Sequence, residues 1–150
     1  MELETVSAED FGRSLRGLGL NILVKSVPRT AMFLADVFSM KIYRQSADFA
    51  IVSYSDQIFQ LHADHTYHSN PLPSLLPEAG PRGGGIEIRL DQTDPDKACS
   101  LAKAHEHDSM LLATASNKPH GLRESVILCE NGYAWIASRP LTDEEIASVK

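Results

Sequence analysis

Residues 19–31 (GLNILVKSVPRTA) and 85–98 (GIEIRLDQTDPDKA) are two copies of one supersecondary unit. Each opens on a Gly and a run of alternating residues. Each then meets a helix-start signal with Pro in the first turn and continues into a small-residue amphipathic stretch. A repeat of this length in a chain of 150 residues implies a core assembled from two similar modules. A cleft between such modules is a natural ligand site.

Leu20, Ile22 and Val24 alternate with Gly19, Asn21 and Leu23, the period of a half-buried strand. Ser26 is placed to cap a following helix, with Pro28 in its first turn, where no needed hydrogen bond is lost. In the second copy Ile86, Ile88 and Leu90 alternate with Gly85, Glu87 and Arg89, and Asp94 caps ahead of Pro95. The apolar strand positions are expected to pack on the helix. The opposite face then carries Asn21 in one copy and Glu87 with Arg89 in the other.

Three strands are expected after each helix, at 41–46, 48–54 and 57–63, and again at 110–115, 124–130 and 133–138. Residues 49–60 align without gaps on 125–136. Ser55-Asp56 and Asn131-Gly132 then coincide as tight hairpin turns. Strand–helix–strand–strand–strand, twice, predicts an α+β fold with helices on one face of a curved sheet. The expected organisation is a helical extension over 1–17, a first module over 18–64, a Pro- and Gly-rich linker over 65–83, a second module over 84–140 and a terminal helix within 141–150. Helices are expected at 7–15 and 142–149, the second with Thr142 and Glu145 as a capping box, as packing or dimer elements.

Composition removes several classes of function. A formal net charge of −6 offers no basic stripe for a nucleic acid. No apolar run approaches the roughly 20 residues of a membrane span. The acidic start MELETVSAEDFGR lacks the order of a secretory signal, so a cytoplasmic location is expected. Cys99 and Cys129, expected on a helix and a strand, read as reduced thiols.

The stretch PHGLRESVILCENGYAWIASRP (119–140) contains a G-x-R loop, a strand, a turn ending in Gly132 and a last strand before Pro140. With the repeat, it resembles the vicinal oxygen chelate superfamily, which includes glyoxalase I, extradiol dioxygenases and bleomycin-resistance proteins. The turn reads Cys129-Glu130-Asn131-Gly132, keeping the family's Gly but not its Asp-Pro. The resemblance covers roughly residues 18–140. It implies two βαβββ modules forming a curved mixed sheet around a cleft, with the terminal helices added. Members of this size resemble homodimers.

The resemblance also implies metal ligands at four places, which fall on Gly19, Gln60, Gly85 and Ile136. A divalent cation needs several oxygen or imidazole ligands, so the resemblance implies no metal and no cofactor. It points to a metal-independent small-molecule binding protein of the bleomycin-resistance type, taking an antibiotic-like compound or a metabolite. A two-residue slip in strand register keeps the same face inward. It would bring Asn21, Glu87 and His62 to those places, as in a divalent-metal-dependent lyase, isomerase or dioxygenase.

The expected ligand contacts are Asn21, Gln60, His62, Glu87 and Arg89, with Arg123, which matches an arginine the family often carries. Arg89 suits a carboxylate or phosphate through two parallel hydrogen bonds. Glu87 suits an amine, or a base if burial raises its pKa. Without a ligand, Glu87 and Arg89 would be a screened ion pair and Arg123 would pair with Glu124 or Glu130. His62, His65 and His68 read as a histidine-bearing loop leaving a strand.

Overall fold

The structure is a computed structural model and describes residues 1–148. The chain divides into two compact units, residues 1–35 with 39–76, and 36–38 with 77–150.

The first unit begins with α1 (Ala8–Ser14), capped by the Ser7 hydroxyl, which accepts from the Asp10 N–H at 3.1 Å. Next come β1 (Asn21–Val24) and α2 (Val27–Phe38), whose cap Ser26 accepts from the Arg29 N–H. Strands β2 (Lys41–Tyr43), β3 (Phe49–Tyr54) and β4 (Gln57–Ala63) complete the sheet. Its order is β1-β4-β3-β2, with β1 parallel to β4 and the other pairs antiparallel. Residues paired across strands share a face. Asn21 pairs with Gln60 and Leu23 with His62, so these four lie on one face, with Phe49 opposite His62. The other face carries Ile22, Val24, Leu61 and Ala63, all buried together with Val27, Ala31 and Leu34 of α2. Each such aliphatic side chain contributes roughly 1.5–3 kcal/mol by leaving water.

The second unit contains β5 (Glu87–Asp91), α3 (Pro95–Ala102), β6 (Ser109–Asn117), β7 (Leu122–Cys129), β8 (Ala134–Pro140) and α4 (Asp143–Ser148). The sheet order is β5-β8-β7-β6, again with the first pair parallel. Asp94 caps α3 through the N–H groups of Asp96 and Lys97. Leu90, Ala98, Ala102, Ile127, Trp135 and Ala137 form its core. Glu87, Arg89, Glu124, Ile136 and Ser138 share the opposite face by register. At α4, Thr142 and Glu145 exchange the two capping-box hydrogen bonds. Arg139 grips the same carboxylate at 2.7 and 3.1 Å. The Arg139 hydrogen bond, with those from Thr142, holds the Glu145 carboxyl at about 2.

The fold is thus α+β, with two four-stranded mixed sheets and strand–helix–strand–strand–strand order in each. Two expectations shift. The first strands open at Asn21 and Glu87, two residues late, because pairing in the parallel ladders begins there and a turn closed by Ile86 N–H to Gly83 O precedes β5. The hairpins differ: Ser55-Asp56 is a two-residue turn with both φ positive, at 46° and 63°. The second hairpin is a three-residue loop, Glu130-Asn131-Gly132, closed by Gly132 N–H to Cys129 O and ending with Gly132 at φ 78°. The linker holds two short 3-10 turns, Asp64–Tyr67 and Leu72–Leu75. Residues 149 and 150, where the expected terminal helix would end, lie outside the described residues. Among the described residues no helix is long and apolar enough to cross a membrane.

Candidate functional site

Helix α1 does more than pack. It lies over the Gln60 face of the first sheet, and between them is a cavity of about 490 Å³. Phe11 and Leu15 line it from α1; Phe49, Gln60 and His62 line it from the sheet, and Arg44 from the segment after β2. Phe11 is buried at 4% exposure and meets Phe49 edge-on, centroids 6.4 Å apart. The Arg44 guanidinium donates to the Val6 carbonyl at 2.7 Å and lies 6.0 Å from the Phe49 ring centre. Its backbone N–H donates to Glu4 at 2.9 Å. A second hollow of about 360 Å³, lined by Leu20, Asn21, Ile58 and Phe59, shares Phe11, Leu15 and Gln60 with the first.

His62 stands between two rings. Phe49 and Tyr67 each meet it edge-on at 5.2 Å, and its Nε2 donates to Gln60 Oε1 at 3.1 Å. Burial lowers its pKa below the ordinary 6.5, so the neutral ring prevails at neutral pH. Asn21 donates to the Tyr67 hydroxyl at 3.3 Å. Three of the expected contacts, Asn21, Gln60 and His62, therefore sit together on one face. His65 and His68 turn elsewhere: His65 pairs with Asp48 at 2.7 Å, and His68 donates to the His65 carbonyl.

Glu87, Arg89 and Arg123 belong to the second unit. The Glu87 side chain is 63% exposed and touches Arg89 at 3.3 Å. The main partner of Arg89 is the buried Glu124, which also accepts from His120 at 2.8 Å, while Ser138 lies 3.3 Å from the guanidinium. Burial pushes the Glu124 carboxyl up, but the Arg89 hydrogen bond and charge, with His120 behind them, hold it below 4.5. Arg123 does not pair with Glu124 or Glu130. It grips Asp96 in the first turn of α3 at 2.7 and 2.8 Å and reaches Asn117 at 2.8 Å, because the β7 register points it at the helix start.

Sequence reasoning missed Phe11, Arg44 and Phe49 in the first unit and Glu124 and His120 in the second. Phe11 had a signal, as an aromatic residue in the packing helix expected over 7–15; the others gave none. Of the four places the resemblance assigns to metal ligands, Gly19 and Gly85 lie outside strands and Ile136 is buried hydrocarbon. Only Gln60 offers a donor, and its oxygen is engaged by His62. That set does not fit a divalent ion. Among the described residues no three His, Cys, Asp or Glu side chains converge to hold a metal.

No protein-family model and no curated protein matches the sequence. Solved structures do match the fold. A glyoxalase/bleomycin resistance protein/dioxygenase family enzyme from Burkholderia phytofirmans superposes with a TM-score of 0.68 at 16% identity, over 81% of this chain and 96% of that one. A glyoxalase-related enzyme from Fulvimarina pelagi gives 0.65 at 12% identity, over 86% and 94%. A lactoylglutathione lyase from Agrobacterium tumefaciens gives 0.59 at 14%, over 83% and 92%. Duplicated modules, mixed sheets and these superpositions together give the chain the fold of these glyoxalase/bleomycin resistance protein/dioxygenase structures.

Proposed function

We propose that this chain is a metal-independent binding protein for a small molecule, antibiotic-like or metabolic, held in the cavity that α1 closes over the Gln60 face. The cavity carries the reading. At about 490 Å³ it falls within the size range of small-molecule pockets, and three of its walls are apolar side chains: Phe11, Leu15 and Phe49. Gln60, the neutral His62, Ser46 and Arg44 are the few polar side chains, enough to orient a ligand. The donor chemistry at the four metal positions supports the metal-independent part of the reading.

The test is thermal unfolding of the untagged protein with 2-naphthamide, a neutral aromatic of pocket size, beside a panel of antibiotics and thiol conjugates. A ligand at a hundredfold excess over its Kd adds about 2.7 kcal/mol, which for a chain of this length raises Tm by about 5–10 °C. Phe49→Ala is expected to abolish that shift. A stoichiometric metal in protein expressed without added metal would overturn the metal-independent reading. A flat response to naphthamide and the whole panel would overturn the pocket.

A further inference from the structure

Among the described residues Arg44 is the one permanently charged group lining the cavity, and no carboxylate of theirs pairs with its guanidinium. One N–H goes to the Val6 carbonyl; the acid nearest by hydrogen bonding, Glu4, is taken by the backbone N–H of the same residue. The side chain is half-buried beside the Phe49 ring. A guanidinium has five donors, and a cation drawn out of water is costly until an anion or acceptors meet it. Here one acceptor is in place, and the side chain lines a largely apolar chamber.

We propose, resting on the pocket reading above, that the cavity takes an aromatic or similarly flat apolar molecule bearing one carboxylate, with Arg44 as its charge partner. The geometry divides the labour. Phe11, Leu15 and Phe49 contact the apolar body, and Gln60 with neutral His62 supplies polar contacts that add no competing charge. The guanidinium presents its planar fork to the carboxylate, the arrangement in which such pairs are strongest. The chain's net charge of −6 does not forbid an anion. Beyond the screening length of about 8 Å at physiological salt, exposed charges count little, and within it Arg44 is the group the ligand meets.

The experiment compares 2-naphthoate with 2-naphthamide, matched in shape and different in charge, by calorimetric titration of the full chain, the Arg44→Gln variant and the Arg44→Lys variant. A charge-assisted pair predicts that naphthoate binds about 10- to 100-fold tighter than the amide. Arg44→Gln is expected to bring the acid-to-amide ratio to within about threefold of one, a ratio that cancels any loss of affinity for both probes from the lost Val6 contact. Arg44→Lys should keep part of the preference. Equal affinity of acid and amide for the unmodified protein overturns the carboxylate class and leaves the pocket standing. A preference unchanged in Arg44→Gln overturns the assignment to Arg44. Binding of neither probe overturns the carboxylate class, and the pocket falls with it when the wider panel is silent too.

Discussion

Arg89 and Glu124 stand 35 residues apart in the chain and share one face of the second sheet, the guanidinium bonded to a carboxylate that is 8% exposed. Register puts them there: Arg89 pairs with Ile136, and Glu124 with Ser138 two positions along the same strand. Because the folded state holds Glu124 below 4.5, its contribution is present above that pH and is lost as pH falls through the lowered value. Arg89→Met strands a buried carboxylate and is expected to cost about 2–3 kcal/mol at neutral pH, less than for a fully buried pair since Arg89 itself is a third exposed. Urea unfolding at neutral pH and near pH ~3.5 checks this. The difference between variant and parent should be smaller at the lower pH and shrink further as pH falls through the lowered Glu124 value.

Gly132 is required for two reasons that can be separated. Its φ of 78° is costly for any residue with a Cβ, and a Cβ there would come within 2.3 Å of Pro81 Cα, which is backbone and cannot swing aside. Gly121, at φ 89°, carries the first burden alone, with nothing within 4 Å of its Cβ position. Gly121→Ala is expected to cost about 1 kcal/mol and Gly132→Ala about 3 kcal/mol or more. Denaturant midpoints of the two variants measure the gap.

What the sequence made legible was local. Ser26 and Asp94 announce their helices because a cap acts on N–H groups two or three residues ahead, and Thr142 with Glu145 works over the same reach. Period-two alternation sorted Asn21, Gln60 and His62 to one face of a sheet, and Glu87 with Arg89 to one face of another. Failures began where distance along the chain entered. Alternation through Leu20 and Ile86 gave no sign that pairing starts only at Asn21 and Glu87. Asn-Gly marks a hairpin, yet Gly adopts the left-handed region in a two-residue turn and in a three-residue loop alike, so the turn type stayed hidden. The cavity needs Phe11, Arg44 and Phe49 brought together from three segments, and no local pattern encodes that meeting. Arg123 looked like a ligand contact, and it clamps the start of α3.

His62 offers a direct test of how closed the first unit is. Burial lowers its pKa, so acidification through the region below 6.5 must place a charge between Phe49 and Tyr67. A folded pKa below the unfolded one means full stability above 6.5, lost progressively as pH falls toward the lowered value. Titration of the His ring protons by NMR should show His62 ionising below the ordinary 6.5. His62→Gln should flatten the dependence of stability on pH in that window.

Helix α1 has seven residues, too few to persist without its contacts. What holds it is Phe11 against Phe49, the Val6 carbonyl on Arg44 and the Glu4 carboxylate on the Arg44 backbone. After it, Gly17 at φ 68° and a fully exposed Leu18 lead to β1. Removing a buried Phe ring commonly costs about 3–5 kcal/mol. We expect the helix to detach before the sheet opens, which limits the loss to the free energy of docking. Phe11→Ala is therefore expected to lower the global unfolding midpoint only slightly while exposing Arg13 and Arg16 to trypsin. Cleavage at those two arginines should accelerate about tenfold or more over the parent, the equivalent of about 1.4 kcal/mol of docking. Equal loss in both measurements would mean that α1 and the sheet unfold as one.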